Sequence, residues 1–224
     1  MKYGESAFDI LYLLFALAAG CVMLAKARGK TEKLMGCAAL ILGAGDAFHL
    51  VPRVLNYFCE ADFTVWLGVG KLITSLTMTV FYILMYHIWA GYYGERKQKG
   101  VTVAVYALAA ARFALCAFPQ NGWLTNESGV LWGVLRNVPF AALGALIVVL
   151  YFRKRKESRR FRAVWIYVTL SFLFYIPVAV AAGLVPILGM LMLPKTVCYI
   201  LLIWTFLLAV LKDEPRNCDK GEKL

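Results

Sequence analysis

The stretch VLWGVLRNVPFAALGALIVVLYFRKRKESRRFR, residues 130–162, carries both features from which the fold follows. Its first part, 130–151, is an apolar run of about 22 residues. At about 1.5 Å of rise per residue, that is the length a helix needs to cross a hydrocarbon layer of about 30 Å. Its second part sets seven basic residues (Arg153, Lys154, Arg155, Lys156, Arg159, Arg160, Arg162) against the single acid Glu157. Connections this basic stay on the cytoplasmic side of a membrane.

The same alternation continues in both directions. Apolar runs at about 7–25, 34–54, 65–89, 101–118, 130–151, 161–182 and 190–211 predict an all-α polytopic membrane protein, a bundle of seven transmembrane helices in one domain spanning 1–211. Residues 212–224 are left as a polar tail. The apolar share of 62% fits that picture, since soluble domains hold about half. The run at 7–25 is read as a retained span and not a signal peptide, because acidic Glu5 and Asp9 precede its centre and basic residues follow it.

Charge sets the orientation. The first, third and fifth connections are basic, the second, fourth and sixth acidic or uncharged, so the N-terminus is expected outside and the C-terminus in the cytoplasm. With the tail included, 18 of the 24 basic and 7 of the 13 acidic residues fall inside, a balance equal to the entire net charge of +11. The basic character is therefore a matter of topology and of contact with anionic headgroups. Nucleic acid is not an expected partner. A bacterial cytoplasmic membrane and its lipids are the expected setting, with an anionic cytoplasmic protein as a lesser possibility for the Arg153–Arg162 run.

Ionisable residues inside the spans are costly there and usually face the bundle interior or a water-filled space. Asp46 and His49 lie in the second span, Lys71 in the third, Arg112 in the fourth, Arg136 in the fifth and Lys195 in the seventh. Counted along each helix from its outer end, the four cations fall about 8–9 Å below the boundary and Asp46 about 12 Å. One outer-leaflet layer therefore collects charges from five helices. Asp46, His49 and Arg53 follow at i, i+3 and i+7, on one helical face. Gly43 and Gly45 below them permit close approach of a neighbour, and Pro52 is expected to bend the outer end. Thr74, Ser75, Thr77, Asn137, Pro139, Tyr175 and Pro177 are expected walls.

Two readings of this layer stand side by side. In the first, Arg53, Lys71, Arg112, Arg136 and Lys195 outnumber Asp46 in an outward-facing pocket for a phosphate or carboxylate, with Thr74, Ser75, Asn137 and Tyr175 beside them. In the second, the cations snorkel to the headgroups or pair with the outside acids Glu5, Asp9, Glu60, Asp62 and Glu127. An enzymatic alternative uses Asp46 to orient His49 as a general base toward a phospholipid or lysolipid, with water or Ser75 as nucleophile. A third possibility is a structural or assembly subunit, with a second copy or a partner helix on the charged layer.

No cofactor or metal is expected. His49 and His87, the only histidines, are predicted at opposite ends of the membrane, whereas a catalytic zinc takes three protein ligands. Lys195 lies too near its helix end, with no carboxylate in the third span, for a retinal Schiff base. Cys59 and Cys116 both fall at the outer face, where a disulfide is possible. Cys21, Cys37 and Cys198 are read as packing residues, and Asn126-Glu127-Ser128 as an outside glycosylation sequon. The six tryptophans cluster near span ends as interface anchors.

The segments GAGDAFHLVPR, GKLITSLTMTVFYILMYHIW and LVPILGMLMLPKTVCYILLIW together resemble a group of bacterial seven-helix integral membrane proteins. That likeness implies the fold and no particular activity. The Gly45-Asp46 step is also similar to the intramembrane Gly-Asp of the lysoplasmalogenase family. That family typically has eight spans and a second acidic motif, both departures from this sequence.

Overall fold

Hydrocarbon offers no partner to a backbone N–H or C=O, so a spanning segment must satisfy its own hydrogen bonds. The computed structural model describes residues 2–95, 98–126, 129–181 and 186–212. These form seven α-helices, three short 3-10 turns and no strand. The helices are α1 (Lys2–Lys26), α2 (Lys30–Phe58), α3 (Thr64–Tyr92), α4 (Lys99–Ala117), α5 (Val130–Arg153), α6 (Val164–Ala181) and α7 (Met192–Leu211). The 3-10 turns are Pro119–Asn121, Phe161–Ala163 and Pro186–Leu191.

All seven spans are long and apolar enough to cross a membrane. They differ from the expected runs mainly at their ends. α2 begins four residues early because the Glu32 carboxylate accepts from the N–H groups of Arg28 and Gly29, satisfying donors that a helix start leaves open. The sixth and seventh spans each start as 3-10 turns. Pro52, Pro139 and Pro177 stand within their helices without breaking them.

Consecutive helices pack side by side, and α7 closes the ring onto α1, with further contacts of α2 on α7 and of α3 on α5. α2 and α3 make the most intimate pair. A Cβ on Gly45 would stand 2.0 Å from Thr77 Oγ1, so only glycine admits this approach, and Thr74 Oγ1 donates to Gly45 O at 3.0 Å. The outer surface of the ring is apolar: Leu11, Leu14, Val103, Leu131 and Leu173 are all more than 60% exposed. So large a hydrophobic belt is the surface of a membrane-embedded bundle.

The two ends of the bundle differ. The end carrying the α1–α2, α3–α4 and α5–α6 connections holds a close-packed aromatic core. There Tyr151 donates to Met85 O at 3.0 Å, Trp89 Nε1 donates to Leu150 O at 3.0 Å, and Phe161 is fully buried against Tyr92, Tyr151 and Phe206. Trp89 is thus a buried strut and not an interface anchor. Lys154 bridges Glu95 and Glu157 at 2.5 and 2.7 Å, tying two connections together. Both acids hold its ammonium above the usual lysine range. Higher up, Tyr82, Phe140 and Phe172 meet with centroids 5.0–5.5 Å apart. Above that layer the bundle opens.

Candidate functional site

Between this aromatic layer and the end that carries the α4–α5 connection lies a cavity of about 520 Å³, within the ordinary range for ligand pockets. Helices α2 to α7 and the α4–α5 connection all contribute to its wall. Four of the cations expected in the layer reach it: Lys71 from α3, Arg112 from α4, Arg136 from α5 and Lys195 from α7. His49, Thr74, Ser75, Asn137 and Tyr175 line it as well.

The cations grade in depth. Lys71 is exposed, Arg136 and Lys195 are half-buried, and Arg112 is 2% exposed above Phe140. Each rests on neutral partners. Lys71 Nζ donates to Asn126 Oδ1 at 2.7 Å, Arg136 Nη1 to Asn121 Oδ1 at 2.9 Å and Arg112 Nη1 to Asn137 Oδ1 at 3.1 Å. The guanidinium of Arg112 lies 3.7 Å from the Phe140 ring centre, that of Arg136 4.5 Å from Trp123, and Lys195 Nζ 4.5 Å from Tyr175.

No carboxylate lines the cavity among the described residues. A cation at hydrocarbon depth costs about 2.5–3.5 kcal/mol. One charged hydrogen bond contributes about 1.5–3 kcal/mol and an aromatic face about 0.5–2 kcal/mol, together enough to hold Arg112 and Arg136 singly. Among the described residues, nothing answers the repulsion of four like charges in one cavity. Two buried polar atoms on the wall also have no protein partner, Arg112 Nε and His49 Nδ1. Ser75 Oγ is occupied by its own helix, donating to Lys71 O at 2.8 Å.

The described acids lie elsewhere. Arg53, expected among the cavity cations, instead pairs with Glu5 of α1, which also accepts from Tyr57. The expected Asp46–His49 hydrogen bond is likewise replaced: Asp46 accepts from the Tyr12 hydroxyl at 2.6 Å. Helical rotation explains both. At about 100° per residue, Arg53 projects about 20° from Asp46 while His49 is turned about 60° from it. The first two therefore meet α1, and His49 turns to the cavity. Asp62 accepts from Thr64 N at 2.9 Å at the start of α3, and the Thr64 side chain and N–H together keep its carboxyl below the usual range. Among the described residues no ion pair joins an acid to Lys71, Arg112, Arg136 or Lys195.

Three partners escape sequence reasoning. Asn121 and Asn126 lie in the α4–α5 connection, and Trp123 between them, expected at the interface, is a cavity wall whose Nε1 donates to Cys116 O at 2.9 Å. Asn126 adopts a left-handed backbone, φ 57°; Glu127 and Ser128 of its sequon lie outside the described residues. The connection is seated on α3, where a Cβ at Gly68 would fall 1.7 Å from Trp123 O. Cys59 and Cys116, between which a disulfide was possible, are both free thiols, Cys59 exposed and Cys116 buried. No group of three or more potential metal ligands occurs among the described residues.

No protein-family model, curated protein or solved structure matches the chain.

Proposed function

We propose that this chain is a multi-pass protein of a bacterial cytoplasmic membrane, N-terminus outside, that holds an anionic small molecule or lipid headgroup in its cationic cavity. A membrane sensor or transporter has such a site. One observation carries the proposal: Lys71, Arg112, Arg136 and Lys195 share one cavity and are held by asparagine oxygens and aromatic rings instead of carboxylates. An anion with several oxygens supplies the missing countercharge and accepts from the free Arg112 Nε. Apolar wall residues such as Met78 and Val178 suit a guest with a hydrophobic portion.

The hydrolase alternative has less support, since the carboxylate of Asp46 is engaged by Tyr12 and Ser75 by its own helix. Native mass spectrometry of the detergent-purified protein tests the proposal against an Arg112→Ala/Arg136→Ala double variant. The expected result is an anionic adduct on the wild type that the variant loses. An adduct retained by a folded double variant, or none on either protein, overturns it. Copurification of another membrane protein in place of an adduct supports an assembly subunit.

A further inference from the structure

The hydroxyl groups on the cavity wall have committed their protons to the protein. Thr74 Oγ1 donates to Gly45 O at 3.0 Å, Ser75 Oγ to Lys71 O at 2.8 Å, and the Tyr175 hydroxyl to Asn137 Oδ1 at 2.7 Å. A hydroxyl has one proton and two lone pairs, so these three oxygens can only accept from anything in the cavity. Neutral N–H groups of the wall also turn back to the backbone: Asn121 Nδ2 donates to Leu115 O and Phe118 O, and Trp123 Nε1 to Cys116 O. The wall is thus divided by chemistry, with its cations as the main donors and its hydroxyl oxygens as acceptors. The two kinds are interleaved. Thr74 and Ser75 follow Lys71 one turn deeper along α3, while Tyr175 shares its acceptor with Arg112 and holds Lys195 Nζ over its ring at 4.5 Å. All three hydroxyl-bearing residues are half-buried, above a floor that includes the buried Met78 and Phe140.

We propose that the guest is a phosphate ester of a polyol, its phosphate among the cations and its hydroxyl groups donating to Thr74, Ser75 and Tyr175. The inference rests on the cavity being an anion site and names which anions it takes. A plain oxyanion brings lone pairs alone. It satisfies the N–H groups but excludes water from the hydroxyl oxygens and gives them no donor in return, and an acceptor left unpaired in this way is costly. A guest hydroxyl removes that cost. An ammonium group also donates, but the four cations of the cavity repel it. Phosphate is favoured over carboxylate by the number of its oxygens, because the cations approach from four different helices and a carboxylate has only two oxygens to offer them. The same head occurs on a free polyol phosphate and on a polyol phospholipid; the recognition chemistry is shared, and the two sources are separated by experiment.

Titration calorimetry of the full chain in detergent tests this with two pairs of probes, the members of each pair equal in charge and close in size. Glycerol 3-phosphate is set against propyl phosphate, and short-chain phosphatidylglycerol against its phosphatidylpropanol analogue, at about pH 8, where a phosphate monoester is fully ionised. In at least one pair the hydroxylated member is expected to bind at least about tenfold more tightly. A preference confined to the first pair supports a free polyol phosphate, and one confined to the second supports a lipid headgroup. Thr74→Val/Ser75→Ala and, separately, Tyr175→Phe are expected to bring the ratio of the two affinities toward one. General damage to the site weakens both members of a pair and leaves their ratio in place, so the ratio reads the hydroxyl contacts alone. Equal affinities within both pairs on the wild type overturn the polyol assignment and leave the anion site standing. A ratio unchanged in both variants overturns the choice of acceptors. Failure of all four probes to bind overturns the anion site and the polyol assignment together.

Discussion

Arg112 and Tyr175 share one oxygen: Asn137 Oδ1 accepts from Arg112 Nη1 at 3.1 Å and from the Tyr175 hydroxyl at 2.7 Å, while Asn137 Nδ2 donates to Gly133 O at 2.8 Å. A single amide on α5 therefore fixes the deepest cation of α4 and the hydroxyl of α6. It orients Arg112 without neutralising it.

Replacing Asn137 by Asp puts a countercharge where a neutral acceptor stood. Anion affinity is expected to fall at least about tenfold, or 1.4 kcal/mol. Thermal stability should be retained, because ion pairing with Arg112 offsets the lost bond to Gly133. Titration calorimetry and a melting curve read the two effects separately; undiminished affinity would remove the electrostatic account of the cavity.

Arg53 and Lys71 are both cations near the same end of the bundle, yet they should behave differently. Arg53→Gln breaks a half-exposed pair with Glu5 and is expected to cost about 1 kcal/mol of stability or less, with anion affinity unchanged. Lys71→Gln should weaken binding and leave the melting temperature in place. Equal effects of the two substitutions on affinity would show that both cations serve the cavity.

Gly68→Val drives a side chain into Trp123 O, 1.7 Å from the Cβ position. Overpacking of this kind costs about 1–3 kcal/mol. The α4–α5 connection must lift, carrying Asn121 and Asn126 away from Arg136 and Lys71. Circular dichroism should show the helices intact while anion binding is lost; a variant that binds normally would mean the connection is not a wall of the site.

The free thiols report on both geometry and orientation. Cys59 should react with a membrane-impermeant maleimide on intact cells, and Cys116, 1% exposed, only after denaturation. A cysteine introduced by Lys156→Cys should react only after lysis. Labelling of that cysteine on intact cells would invert the proposed orientation.

Much of this architecture is legible in the sequence because hydrocarbon tolerates so few arrangements. Seven apolar runs give seven helices, and Lys71, Arg112, Arg136 and Lys195 stand out because a charge at depth is rare. Counting residues along each helix places them at one level. Rotation about the helix axis is harder to read, and it is where Arg53 and Asp46 part from His49. The asparagine partners are hidden for another reason. Asn121 and Asn126 sit in a connection with no periodic pattern, and Trp123 looks like any tryptophan at a span end. Only the seating of that connection on Gly68 brings them onto the cations.

Phe140 belongs to two structures at once. Its face carries the guanidinium of Arg112, and its edges meet Tyr82, Phe172 and Tyr175 in the aromatic layer that floors the cavity. A guest that pulls Arg112 off that ring changes the environment of a residue packed against α3 and α6. Under the proposed anion binding the ring would be a mechanical junction, where a charge arriving at one end of the bundle would become a change of packing in its middle. If so, pressure on that packing from the opposite end would alter the hold on the guest by an equal free energy.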